Sequence, residues 1–140
     1  MKATIITDAS HHPEQKVGAW ACWIRYDDKT LVKHAAVFKA KIDNSQEAKK
    51  LAIINAIFLA LKYAPADRPL NQLLVQSDCL TVIQTLTAAE VMSLLGINKL
   101  PQLFLRHVKG HLNDSRHAKH YCNCWCDREA KKLMRKAVKK

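Results

Sequence analysis

The sequence predicts an α/β fold in which helices pack on the faces of a mixed five-stranded sheet, in the order β-β-β-α-β-α-β-α. Three observations carry that expectation. The first forty residues hold three β-like runs, the apolar period turns helical after Asn44, and from Leu73 onward short apolar runs alternate with longer helical ones. At 140 residues the chain is near the modal size of one domain, and it contains no repeat and no Pro- or Gly-rich linker, so residues 1–140 are expected to form a single domain.

Each element has its own signal. Ala3 to Thr7 is apolar on both sides, as in a central strand covered on both faces. Val17 to Tyr26 and Leu31 to Ala40 are rich in β-branched and aromatic residues, and Asp27-Asp28-Lys29 between them suits a hairpin turn. Ser45 to Tyr63 reads as a helix with Asn44 as N-cap, Glu47 three residues later in a capping box, and Pro65 and Pro69 beyond its end. Leu73 to Ser77 is a fourth strand, which after so long a helix should lie parallel to an earlier one through a right-handed crossover. Residues 80–98 read as helical, Leu103 to Val108 as extended, and 117–139 as helical again.

Charge narrows the partners. A formal net charge of +11, from 23 Lys and Arg against 12 Asp and Glu, favours a polyanion, and nucleic acid is the expected one. The C-terminal helix concentrates Lys131, Lys132, Arg135, Lys136, Lys139 and Lys140, with Lys136 a candidate phosphate contact. The start MKATIITDAS has no leader-like apolar run and no stretch approaches the roughly 18 apolar residues of a membrane span, so a cytoplasmic protein without a membrane partner, acting as a monomer, is expected. Five cysteines, three of them crowded at 122, 124 and 126, do not form a secreted disulfide pattern and are expected to stay reduced. His117-x-x-His120-x-Cys122-x-Cys124-x-Cys126 has poor spacing for zinc, because Cys124 points away from Cys122 and Cys126 on a helix. His11 and His12 read as a polar loop, and Trp20, Trp23 and Trp125 as packing residues.

The carboxylates carry the chemistry. Asp8 follows the first strand and Asp78 the fourth, so if those strands are parallel neighbours both acids leave the same sheet edge. Glu47 lines up with Leu51, Ile54, Phe58 and Leu61 on a helical stripe expected to face the sheet. Asp127 repeats the pattern with Ala130, Met134 and Ala137, one turn after Asn123. Four acids at one edge repel unless a cation neutralises them, and oxygen ligands suit Mg²⁺ or Mn²⁺ rather than zinc. Two such ions about 4 Å apart would support in-line attack at phosphorus, hence phosphodiester hydrolysis.

The same residues resemble the type 1 ribonucleases H in order, spacing and local motif, over nearly the whole chain. The anchors are Thr7-Asp8-Ala9-Ser10, Asn44-Ser45-Gln46-Glu47, Ser77-Asp78-Cys79, His107-Val108-Lys109-Gly110-His111 and Asn123-x-x-x-Asp127. The resemblance implies an endonuclease that cuts the RNA strand of RNA–DNA hybrids, with Asp8, Glu47, Asp78 and Asp127 holding two Mg²⁺ ions for which Mn²⁺ substitutes. It makes His111 a catalytic loop residue that assists proton transfer or product departure, and it places Ser10, Asn44, Lys109 and Asn123 at or behind the nucleic acid.

Three departures from the family bear on hybrid selectivity. Ala9 stands where glycine usually allows close backbone approach, and Leu80 and Asp43 replace amides that relatives often carry. There is also no room between Asp78 and His111 for the extra basic helix and loop of many relatives. Two alternatives share the pattern: another nuclease of this fold, such as a junction resolvase, and a catalytically silent nucleic-acid-binding module. An exonuclease of the four-acid type is disfavoured, because Asp8 is followed by Ala9-Ser10 and not by the Asp-x-Glu of that group.

Overall fold

The computed structural model describes residues 1–108 and 118–139, with the side chains of 118–120 left aside. In chain order its elements are β1 (Lys2–His12), β2 (Val17–Tyr26), β3 (Leu31–Val37), α1 (Ser45–Lys62), β4 (Gln72–Ser77), α2 (Leu80–Thr85), α3 (Ala88–Leu95), β5 (Gln102–His107) and α4 (Ala118–Ala137). The strands form one mixed sheet in the order β3-β2-β1-β4-β5, antiparallel through the first three and parallel at β1–β4 and β4–β5. The expected parallel crossover is therefore made, and it puts β1 in the middle.

Several boundaries differ from those expected. β1 runs on past Thr7 to His12, because its ladder with β2 continues to His12↔Val17 after the parallel ladder with β4 has stopped at Ile6↔Gln76. Asp8 thus lies inside a strand, and His11 and His12 are strand residues, not a loop. β3 stops at Val37, where the Phe38 N–H turns back to the Gly18 carbonyl at 2.9 Å. The stretch 80–98 is not one helix: Leu86 is extended (ψ 130°), and Thr87 starts α3 by accepting the Glu90 N–H on its hydroxyl at 3.1 Å. A second capping pattern, Thr87 with Glu90, outweighs continuous apolar periodicity there. Gly96 ends α3 in the left-handed region (φ 66°), which a glycine enters without steric cost.

α1 begins where its cap predicts, with the Asn44 side chain accepting the Glu47 N–H at 2.8 Å, and it ends at Tyr63, ahead of Pro65. Its buried face only partly follows the expected stripe, of which Ile54 is buried and Leu51 and Leu61 are half-buried against the core. Ala48, Ala52, Ala56 and Ala60 form a fully buried row beside Ile53 and Ile57, whereas Phe58 is 51% exposed. The small alanines let the helix pack closely on the sheet, and of the expected stripe it is Phe58 that turns to solvent.

The sheet separates two cores. Towards α1 lie Ala3, Ile5, Ile24, Tyr26, Leu73 and Val75, with the Tyr26 hydroxyl tied to the Ala60 carbonyl at 2.6 Å. Towards α4 a smaller set of Ile6, Ala21, Cys122, Cys126 and Ala130 packs with the half-buried Trp23 and Trp125. Alternation along β1, with Ile5 on one side and Ile6 on the other, is what lets one strand serve both. Among the described residues, no helix is long and apolar enough to cross a membrane.

Candidate active site

The parallel register brings two acids together. Ile6 opposes Gln76, so Asp8 and Asp78 each stand two residues beyond the same rung, at the point where β1 and β4 part. Asp8 is buried at 3% exposure and accepts the Ala9 N–H at 2.8 Å. Asp78 lies just past β4, where Val108 N–H holds the Ser77 carbonyl at 3.0 Å and His107 Nε2 lies 3.2 Å from the Asp78 carbonyl. Burial, then the charge of Asp78, pushes the Asp8 carboxyl up to about 7, against the pull of Lys49 and the Ala9 N–H. Asp127 adds to the push, which places that third carboxylate within electrostatic reach.

Between the two acids stands a residue that sequence reasoning passed over. Lys49 Nζ lies 2.7 Å from Asp78 Oδ1 and 3.5 Å from Asp8 Oδ1. Burial alone would lower this ammonium, but Asp8 and Asp78 together outweigh it and hold it above its ordinary value. The sequence does carry a signal: Lys49 shares a helical face with Ala52, Ile53 and Ala56, all buried, so a cation interrupts an apolar stripe just as the carboxylates do.

The other two acids are turned to local partners. Glu47, half-buried at the head of α1, points one oxygen at the Asp43 N–H (3.3 Å), closing the capping box from the other side. Asp127 on α4 pairs with Lys131 at 3.1 Å, one turn along. Among the described residues, no three His, Cys, Asp or Glu side chains converge on a point that would hold a metal. The expected four-acid cluster is present here as a dyad bridged by lysine, with two flanking carboxylates occupied locally. The donors are nonetheless oxygen only, and a buried carboxyl forced upward by its neighbour is the electrostatic situation that a hard divalent cation relieves.

The remaining candidates are dispersed. Ser10 is a half-buried residue of β1, and Asn44 spends its side-chain oxygen on the helix cap. Asn123 is buried at 5% exposure, one turn before Asp127 on α4. Its Oδ1, like Thr7 Oγ1 beside Asp8, has no hydrogen-bond partner among the described residues. Lys136 is exposed near the end of α4. Lys109 and His111 lie outside the described residues. Of the His/Cys run, His117 lies outside the described residues; Cys126 is sealed against β1 with its thiol 3.5 Å from the Ile6 carbonyl, burial pushes that thiol upward, and none of the five cysteines forms a disulfide. His11 Nε2 sits 2.7 Å from the Ile42 carbonyl, an internal contact. Trp20 packs against Phe38, and Trp23 meets Trp125 edge to face, as expected of packing residues.

Solved structures with this fold include ribonuclease H domains. The N-terminal RNase H domain of a Mycobacterium tuberculosis protein, solved as a fusion with maltose-binding protein, aligns at TM-score 0.68 and 14% identity, over 97% of this chain and 95% of that one. LC11 RNase H1, solved in complex with an RNA/DNA hybrid, aligns at TM-score 0.69 and 12% identity, over 98% and 99%. RNase H1 from the halophilic archaeon Halobacterium salinarum aligns at 0.65 and 12%, over 98% and 100%. Neither a protein-family model nor a curated protein matches the sequence. At such identities the likeness is one of fold.

Proposed function

We infer, from a ribonuclease H-like fold with a buried carboxylate dyad where its two central strands part, that the chain is an endonuclease that hydrolyses the RNA strand of RNA–DNA hybrids. The single observation that supports this most is the juxtaposition of Asp8 and Asp78 at adjacent strand ends, with the charge of Asp127 reaching Asp8. A structural or purely binding surface gains nothing from keeping carboxylates together out of water, since that costs free energy unless a cation is engaged. The resident metal we propose is Mg²⁺, two ions in all, with Mn²⁺ as substitute.

When bound, such ions supply an activated water and stabilise the leaving oxygen. Asp8 and Asp78 form the centre of their site. Glu47 and Asp127 would complete it, each exchanging its present partner, the Asp43 N–H or Lys131. The buried Ala9 N–H, donating to Asp8, helps to hold the dyad in place. His111, by its family resemblance, handles a proton near neutrality and is not itself a ligand. Exposed cations, with Lys136 among them, draw the duplex in from solution. The protein is proposed to act as a monomer in the cytoplasm, a reducing compartment that suits cysteines held outside any disulfide.

The test is cleavage of a labelled RNA–DNA hybrid in Mg²⁺, beside an RNA duplex, a DNA duplex and a four-way junction. Cutting confined to the RNA of the hybrid is the expected result, and preference for the junction would make the chain a resolvase. Lys49 supports a second reading, a catalytically silent nucleic-acid-binding module, because an ammonium already neutralises the dyad. Hybrid binding without cleavage in either metal would establish it.

A further inference from the structure

Lys49 holds the geometric position that a bridging ion would take. Asp8 and Asp78 both turn Oδ1 towards its ammonium, at 3.5 and 2.7 Å, so one cation already spans the two carboxylates. An ammonium in that place sits farther from its oxygens and holds them more weakly than Mg²⁺, whose oxygen ligands close to about 2.0–2.1 Å, and it brings one charge where the metal brings two. The same position cannot hold both. Lys49 is tethered by a flexible four-carbon stem from the second turn of α1, and its side chain keeps 23% of its exposure, so it has a path outward. Its neighbour Lys50 is engaged separately with Glu90 and does not share the site.

We propose that Lys49 is a built-in competitor for metal: it bridges Asp8 and Asp78 in the resting protein, and a divalent cation enters only by displacing its ammonium outward. The proposal rests on reading this dyad as a metal centre. It makes the dyad stable when metal is scarce, because neither carboxylate is left buried and unpaired, and it makes loading an exchange of one cation for another. Metal affinity is thereby lowered by whatever the lysine contributes.

Calorimetric titration of the full chain with Mn²⁺ and with Mg²⁺ tests this without reference to cleavage. Lys49→Met is expected to bind about tenfold or more tightly than wild type, since it removes the competing cation from between the two carboxylates. Lys49→Arg, which keeps the charge, should stay near wild type, and Asp78→Asn should bind most weakly. In chelator Lys49→Met should melt below wild type and regain more of its Tm on adding Mn²⁺. If it does not fold in chelator, Lys49→Gln takes its place. In wild type, the Lys49 ammonium signal in ¹H–¹⁵N NMR should shift or broaden at saturating Mg²⁺. Equal affinity in wild type and Lys49→Met, or a lysine signal indifferent to bound Mg²⁺, would overturn the proposal and leave the hydrolase reading standing. Absence of metal binding from every variant, Lys49→Met included, would overturn both.

Discussion

Two carboxylate–ammonium pairs reach the centre of the sheet from helices on opposite faces, and they differ mainly in their access to water. Lys49 of α1 meets Asp78 at 2.7 Å, with side-chain exposures of 23% and 7%. Lys131 of α4 meets Asp127 at 3.1 Å, with 40% and 26%. Chemically the pairs are alike, yet solvent screening leaves an exposed i,i+4 pair worth about 0.3–0.5 kcal/mol, whereas removing one partner of a buried pair costs about 3–5 kcal/mol. Burial therefore marks the first pair as the centre of the site, whereas the second is in this structure a local helix interaction beside it.

Activity should separate the two most sharply. Asp78→Asn or Asp8→Asn is expected to reduce hybrid cleavage by at least about 10³-fold, comparable to loss of a principal electrostatic group. Cleavage within twofold of wild type would remove that residue from the site.

The next effect is on stability. An unfolded Asp titrates near 3.8 and the folded Asp8 at about 7, so the folded state holds this proton more tightly. The stability this confers is complete below about pH 4 and is lost as pH rises through 7. Asp8→Asn should therefore stabilise the protein at pH 8 in chelator by on the order of 1–3 kcal/mol, and hardly at all at pH 4. Lys49 retains Asp78 as its closer partner in that variant, so the comparison isolates Asp8. Denaturant melts at the two pH values check it, and a gain that is larger at pH 4 would reverse the sign.

Lys131→Ala should change stability by less than about 0.5 kcal/mol at any pH between 5 and 8, as befits an exposed pair. A loss several times larger would mean that Asp127 depends on Lys131 as the dyad depends on Lys49. Smallest is the effect of the basic end of α4. Lys136→Gln with Lys139→Gln should flatten the dependence of log hybrid affinity on log salt by up to about 0.9 for each phosphate no longer neutralised. An unchanged slope would make that end a solvated face, consistent with Lys139 being held by its backbone to Gln15.

Much of the fold is legible in the chain because its signals are local. Asn44 and Glu47 start α1 through hydrogen bonds spanning four residues, and β-branched runs around Asp27-Asp28-Lys29 form the hairpin as expected. The break at Leu86 is also local, written in Thr87 and Glu90 but masked by a continuous apolar pattern. The meeting of Asp8 with Asp78 follows from topology alone, since a long helix between two strands forces a parallel crossover.

What the sequence by itself determined, then, is the order of elements and which acids would share a sheet edge, both consequences of short-range pattern and chain connectivity. The tertiary structure alone decided which way the helices turn. A shift of one residue rotates a helical face by about 100°, and close packing of an alanine row, not the count of apolar residues, chose the buried face of α1. That rotation left Glu47 capping its own helix and carried Lys49 to the two buried carboxylates, an encounter between groups 29 and 41 residues apart that no local pattern encodes.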